Sequence, residues 1–149
     1  MNIKEELLKK CHQFVNNRLQ NIEETISSNQ TALQSETKSS AGDKHETGRA
    51  MLQLEMEKAG QQLANIQQMK ETLAKIDVLK KSTNAHLGSL VKTNTGNYFL
   101  SISAGQLKAD NELYFAVSVS SPIGKLLLGK SVNEQVMFNS KNIKLLSIK

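Results

Sequence analysis

Ile3-Lys4-Glu5-Glu6-Leu7-Leu8-Lys9-Lys10-Cys11-His12-Gln13-Phe14-Val15 opens the chain with apolar side chains three and four residues apart, the spacing that lines one face of an α-helix. Arg18, Ile22 and Ile26 continue the series, and Val15 and Leu19 widen it, so one amphipathic helix is predicted from about Ile3 to Ser28. Leu52, Met56, Ala59, Leu63, Ile66, Leu73 and Ile76 repeat the rhythm, with Met69 covering the step missing near Lys70. A second helix is expected from about Glu46 to about Leu79, roughly 50 Å long at a rise of about 1.5 Å per residue. Zipping the two stripes together as an antiparallel coiled-coil hairpin hides both at once. Between them, Asn29 to Asp43 is rich in Ser, Thr, Gln and Lys. It reads either as a mobile tip or as a continuation of the first helix through Ala32 and Leu33.

Working outward, glycine and proline usage changes sharply at Leu87. Only Gly42, Gly48 and Gly60 precede it, whereas Gly88, Gly96, Gly105, Gly124, Gly129 and the single Pro122 follow. That change is expected where long helices give way to strands and turns. Short apolar runs at Leu90-Val91, Tyr98 to Ile102, Leu113 to Val119, Val136 to Phe138 and Ile143 to Ile148 predict about five strands, mostly antiparallel. Ile123, Leu126, Leu127 and Leu128, between Pro122 and Gly129, suggest a short helix opened by proline and closed by glycine, covering the sheet. The fold class is α+β, with a helical coiled-coil hairpin over residues 1–80, its tip around 29–46, and a small β-rich domain over 81–149.

The chain has 149 residues, 38% of them hydrophobic and 22% charged, which suits one or two small cores. No run approaches the ~20 apolar residues of a spanning helix, and Glu5 and Glu6 interrupt any signal-like start, so no membrane is expected and the cytoplasm is the expected location. Cys11 is the single cysteine, which rules out an internal disulfide or a thiolate zinc cluster. It reads as a small apolar residue on a packed helix face. The net charge of +5 is uneven: 11 basic against 11 acidic residues up to Lys80, then 8 against 3. The lysines of the second half are scattered and accompanied by no base-stacking motif, so a solvated basic face explains them better than a nucleic-acid site.

Candidate chemistry concentrates in Ala41-Gly42-Asp43-Lys44-His45-Glu46-Thr47-Gly48-Arg49. Asp43 and Glu46 are three apart, so at a helix start they can face the same way and share a hard divalent cation. Two carboxylates alone leave a Mg²⁺ ion short of ligands, and a partner must supply the rest. The same spacing is also a capping arrangement, with Asp43 accepting from the N–H of Glu46. His45 could ligate or shuttle a proton, and Lys44 and Arg49 could contact phosphate; polar surface and charge balance are the plainer readings. Nothing in the sequence forms a phosphate-cradling loop or a Ser, His and Asp arrangement, so an autonomous enzyme is not expected.

Two stretches resemble the Gre transcript-cleavage factors of bacterial transcription. Gly42-Asp43-Lys44-His45-Glu46 is similar to that family's Gly-Asp-x-x-Glu turn, and Ser121-Pro122-Ile123-Gly124-Lys125-Leu126-Leu127-Leu128-Gly129-Lys130 to its Ser-Pro-(Ile/Leu)-(Gly/Ala) turn, short helix and Gly-Lys. Order and spacing agree over nearly the whole chain. The resemblance implies an FKBP-like β domain that docks on the rim of the RNA polymerase secondary channel through Ser121, Pro122 and Ile123. It further implies that the hairpin enters the channel, where Asp43 and Glu46 help hold a second Mg²⁺ against the polymerase's own carboxylates while backtracked RNA is cut. On this reading Mg²⁺ is bound only jointly with RNA polymerase, contact with nascent RNA is indirect, and no small-molecule substrate is involved.

The family usually places Leu-Ser between its acids and Asn after the second, where this chain has Lys44-His45 and Thr47. A Gre-like regulator that binds polymerase without stimulating cleavage, or a structural coiled-coil protein whose Asp43 and Glu46 only cap a helix, are the alternatives.

Overall fold

A computed structural model describes residues 2–38 and 43–149, with the side chains of residues 36–46 outside that description. Two long helices, α1 (Ile3–Lys38) and α2 (Asp43–Ala74), precede β1 (Leu90–Thr93), β2 (Gly96–Ser101), β3 (Gly105–Ala109), β4 (Glu112–Ser118), α3 (Pro122–Leu127), β5 (Gln135–Phe138) and β6 (Lys141–Ile148). The fold is α+β. Among the described residues no helix is long and apolar enough to cross a membrane. By contact the chain forms two compact units, Met1–Phe14 with Lys70–Lys149, and Val15–Met69.

Asn2 starts α1. Its Oδ1 accepts from the Lys4 N–H at 2.9 Å and its carbonyl from the Glu6 N–H at 3.0 Å, while Glu5 and Glu6 occupy the first turn, where the helix dipole favours acids. The helix runs past Ser28, the expected end, to Lys38, so the polar segment continues it through Ala32 and Leu33. No glycine or proline lies in this stretch to break the ladder. Thr25 and Thr31 turn their hydroxyls back onto the carbonyls of Asn21 and Ser27, at 3.0 and 3.1 Å, instead of competing for free N–H groups.

The second helix ends at Ala74 rather than near Leu79. Its last turn tightens, with the N–H groups of Lys75 and Ile76 donating to the carbonyls of Thr72 and Leu73, and Asp77 Oδ1 then takes the Leu79 N–H at 2.9 Å and diverts the chain. Ile76 leaves the helical stripe to pack on Gly88: a Cβ built at that glycine, whose φ is 93°, would sit 2.9 Å from Ile76 Cγ2. Within Val15–Met69, Val15, Ala59 and Ile66 are buried, together with Asn29.

The sheet has six strands in the order β3-β4-β2-β1-β6-β5, one more than the five apolar runs predicted. The additional strand is β3, an edge strand whose burial is confined to Ala109 and part of Leu107. A two-residue turn, Asp110 and Asn111 at φ 51° and 62°, folds it back antiparallel onto β4. Asn139 and Ser140, at φ 50° and 65°, do the same between β5 and β6. Pairing is antiparallel as expected, except that β2 lies parallel to β4, with Phe99 opposite Ala116.

Each face of the sheet has its own cover. On one, Leu127 and Ile123 of α3 pack with Val91, Leu100, Val136, Ile143 and Leu145. Phe99 and Ser101 alternate with Leu100 and so point to the other face, where Cys11 Sγ lies 3.7 Å from Ser101 Oγ and Lys10 donates to the Lys108 carbonyl. Leu7, Cys11 and Leu73 are at most 1% exposed, so the ends of α1 and α2 in this unit are core and not appendage.

Two buried acids make this core sensitive to alkali. Burial pushes the Cys11 thiol above its ordinary 9.0, with the Ser101 hydroxyl opposing, and burial followed by the charge of Glu112 pushes the Tyr114 phenol above 10.0. The folded state therefore keeps protons that the unfolded chain releases, and stability falls as pH rises from about 9 through the folded values. Lys4, whose ammonium burial lowers below 10.5, works in the opposite direction over the window below 10.5. Between about pH 8 and about pH 10.5 the urea midpoint of the wild type should fall relative to that of Cys11→Ala, which lacks the thiol. Parallel midpoints in the two proteins would remove the thiol from this account.

Candidate functional site

Asp43, Lys44, His45 and Glu46 open α2, and Asp43 and Glu46 are therefore one turn apart in its first residues. Their side chains, and Ala41 and Gly42 before them, lie outside the described residues. A helix start is a favourable place for two acids, because the unpaired N–H groups and the dipole there offset their charge. Further along, Thr47 and Arg49 are exposed. Among the described residues no group of three or more His, Cys, Asp and Glu side chains is positioned to hold a metal ion.

The second candidate, Ser121-Pro122-Ile123, is the turn from β4 into α3. Ser121 is the N-cap: its Oγ accepts from the Gly124 N–H at 3.1 Å and donates to the Ser118 carbonyl at 2.6 Å, satisfying groups at both ends of the turn. Pro122 takes the first helical position, where its missing N–H costs nothing. Gly124 is required by crowding, since a Cβ there would overlap the Ser118 carbonyl oxygen. Gly129, at φ 83°, closes the segment, and its N–H donates to the Ala85 carbonyl at 2.7 Å while Lys130 returns its own carbonyl to the Ala85 N–H at 2.8 Å. The turn is thus held at both ends.

Its three residues divide their work. Ser121 braces the backbone, Ile123 is 8% exposed and belongs to the core beneath α3, and Pro122 faces solvent. Ser120 and Lys125 are exposed beside it, and so is Leu128 at 43%. The exposed surface of this turn is therefore Pro122 with those neighbours, and Ile123 supports it from below.

Sequence reasoning passed over an apolar surface on β4. Tyr114 and Ala116 are buried, whereas Leu113 and Phe115, which alternate with them, are exposed at 51% and 39%. The Phe115 ring leans on Tyr98 with centroids 5.9 Å apart. The signal was present: Leu113 to Val119 is apolar on both strand faces, a pattern that demands two covers. One of those covers stops short of Leu113 and Phe115.

His86 and Ser89 form a hydrogen-bonded pair in this unit. The His86 backbone N–H donates to Ser89 Oγ at 2.9 Å, the hydroxyl meets His86 Nδ1 at 2.8 Å, and Nε2 is buried without a partner. Ser89 is 0% exposed, so the pair braces a loop and presents no nucleophile to an external substrate. His12 is exposed on α1.

No protein-family model matches the chain, and no curated protein is significantly similar to it.

Proposed function

We propose that the protein is a Gre-like transcription elongation factor, cytoplasmic, that enters the secondary channel of RNA polymerase and stimulates cleavage of backtracked RNA by the polymerase itself. On this reading α1 and α2 form an antiparallel coiled-coil hairpin, and the sheet with α3 is an FKBP-like domain. The observation that carries the proposal is the pairing of two local structures in the family's order. Asp43 and Glu46 fall in the first residues of the second of two long helices, and a Ser-Pro-Ile-Gly turn, capped by Ser121 and pinned by Gly124, then leads from a strand into a short helix.

Docking falls to the exposed side of that turn, Pro122 with Lys125 and Leu128. Asp43 and Glu46 would add two oxygen donors to a Mg²⁺ ion whose other ligands belong to the polymerase. An ion held there would supply Lewis-acid chemistry for a water and a phosphodiester that the polymerase positions. The protein's share is orientation and charge, not nucleophilic attack, so it is not an enzyme alone. Contact with nascent RNA is indirect.

Purified protein added to stalled, backtracked polymerase complexes with Mg²⁺ should shorten the RNA and release short 3′ fragments. RNA of unchanged length, with the protein bound, would favour the second reading, a non-cleaving Gre-like regulator. Lys44-His45 between the acids and the even charge balance of residues 1–80 support that reading. If neither binding nor cleavage occurs, Asp43 and Glu46 are caps only, each contributing on the order of 1 kcal/mol to α2.

A further inference from the structure

Beside the start of α1 a cavity of about 480 Å³ opens in the unit formed by Met1–Phe14 and Lys70–Lys149. Its size falls within the roughly 300–1,000 Å³ of small-molecule pockets. Ile3, Leu90 and Ile148 contribute apolar residues to its lining, and Lys4, Lys80, Lys81 and Lys149 contribute lysines. We propose that this cavity binds a small amphipathic anion, its carboxylate or phosphate head on Lys4 and Lys80 and its apolar body against Ile3, Leu90 and Ile148.

Lys4 carries the argument. A lysine is almost never fully buried unless paired, yet this one is 4% exposed. Its ammonium donates to the Lys80 carbonyl at 3.2 Å, which uses one of three N–H groups, and the charge of Asp77 acts on it. Burial opposes the charged form more strongly than Asp77 restores it. An anion in the cavity would add counter-charge to that of Asp77 and acceptors for the remaining N–H groups.

The apolar lining limits which anions suit the site. A bare phosphate leaves Ile3, Leu90 and Ile148 wet, and a neutral hydrocarbon adds no counter-charge to Lys4. A molecule with both parts satisfies both kinds of lining residue. Carboxylate and phosphate heads share this chemistry, and the probes below separate them. The proposal is independent of RNA polymerase, and its test requires none.

Backbone amide spectra of the full chain should be followed during titration with octyl phosphate, octanoate, octanol and inorganic phosphate. Octyl phosphate or octanoate should shift the amides of Ile3, Lys4 and Leu90 saturably, at least about tenfold more tightly than octanol or inorganic phosphate. Lys4→Met, which keeps the apolar stem, should weaken the anionic probe about tenfold or more and leave octanol unchanged. Val78→Trp should fill the cavity and abolish binding of every probe. If Lys4→Met does not fold, Lys80→Met, at an exposed position, serves instead and should weaken the anion several-fold.

Equal affinity for octanol and octyl phosphate would overturn the proposal, as would unchanged affinity in a folded Lys4→Met protein. So would shifts scattered over lysines remote from the cavity. A short RNA oligonucleotide that shifts these amides while octyl phosphate does not would replace it with a nucleic-acid site.

Discussion

Phe99→Ala is expected to lower the unfolding free energy by about 3–5 kcal/mol, the range for truncating a large aromatic side chain that its surroundings cannot close upon. Phe99 is 0% exposed and sits in β2, with Leu90 of β1 and Ala116 of β4 directly opposite on its two sides. It shares a face with Ser101, against which Cys11 of α1 packs. Strand neighbours fixed by hydrogen bonds on both sides cannot move in to fill the space, so the cavity term is retained along with the lost transfer energy. Leu113→Ala is the matching control, because that side chain is 51% exposed and its removal should change stability by no more than about 0.5 kcal/mol. Urea midpoints at constant slope measure both. A loss under 1 kcal/mol for Phe99→Ala would mean that the helix ends are not packed on the sheet as described.

Gly124→Ala should cost on the order of 2 kcal/mol or more, against the direction of helix propensity, which favours alanine over glycine by about 1 kcal/mol. The backbone of Gly124 is helical and strains no residue type. The cost comes from space, since a Cβ would overlap the Ser118 carbonyl that also accepts the Ser121 hydroxyl. Relief requires the β4–α3 turn to open, which withdraws Ser121 from its cap and shifts Leu127 in the core. Gly60→Ala, in α2 with nothing within 4 Å of the added Cβ, should instead stabilise by about 0.5–1 kcal/mol. Opposite signs at two helical glycines would show that contact, not propensity, decides. If Gly124→Ala also stabilises, the turn is looser than its geometry implies.

The helices were legible because their apolar residues keep a period of three to four over many turns, and few other structures sustain it. Their ends were less so. The end of α1 turns on Thr25, Thr31 and Asn29, polar residues whose side chains bond back to the helix or are buried in it, and composition alone reads such residues as linker. The end of α2 turns on Ile76, which fits the helical stripe by spacing yet is claimed by Gly88, a contact between residues far apart in sequence. Strand β3 was invisible for a related reason: an edge strand needs one buried face at most, and Gln106, Lys108 and a single buried Ala109 carry almost no hydrophobic signal.

At the candidate site the balance differs. Ser121, Pro122 and Gly124 announce a capped helix start by residue type, and the structure builds one. Ile123 and Pro122, adjacent in sequence, could not be assigned to core and surface before the position of α3 on the sheet was known. The pairing of Asp43 with Glu46 rests on spacing at the start of α2, and spacing serves a cap and a shared cation equally well.

Chemistry separates those two roles, and one comparison does so directly. RNA length in stalled, backtracked polymerase complexes with Mg²⁺ should be followed after adding either the wild-type protein or Asp43→Ala with Glu46→Ala, with binding to the polymerase measured in the same samples. The wild type should shorten the RNA, and the double variant should bind equally well while leaving its length unchanged. Cleavage by the double variant at the wild-type rate would contradict the account.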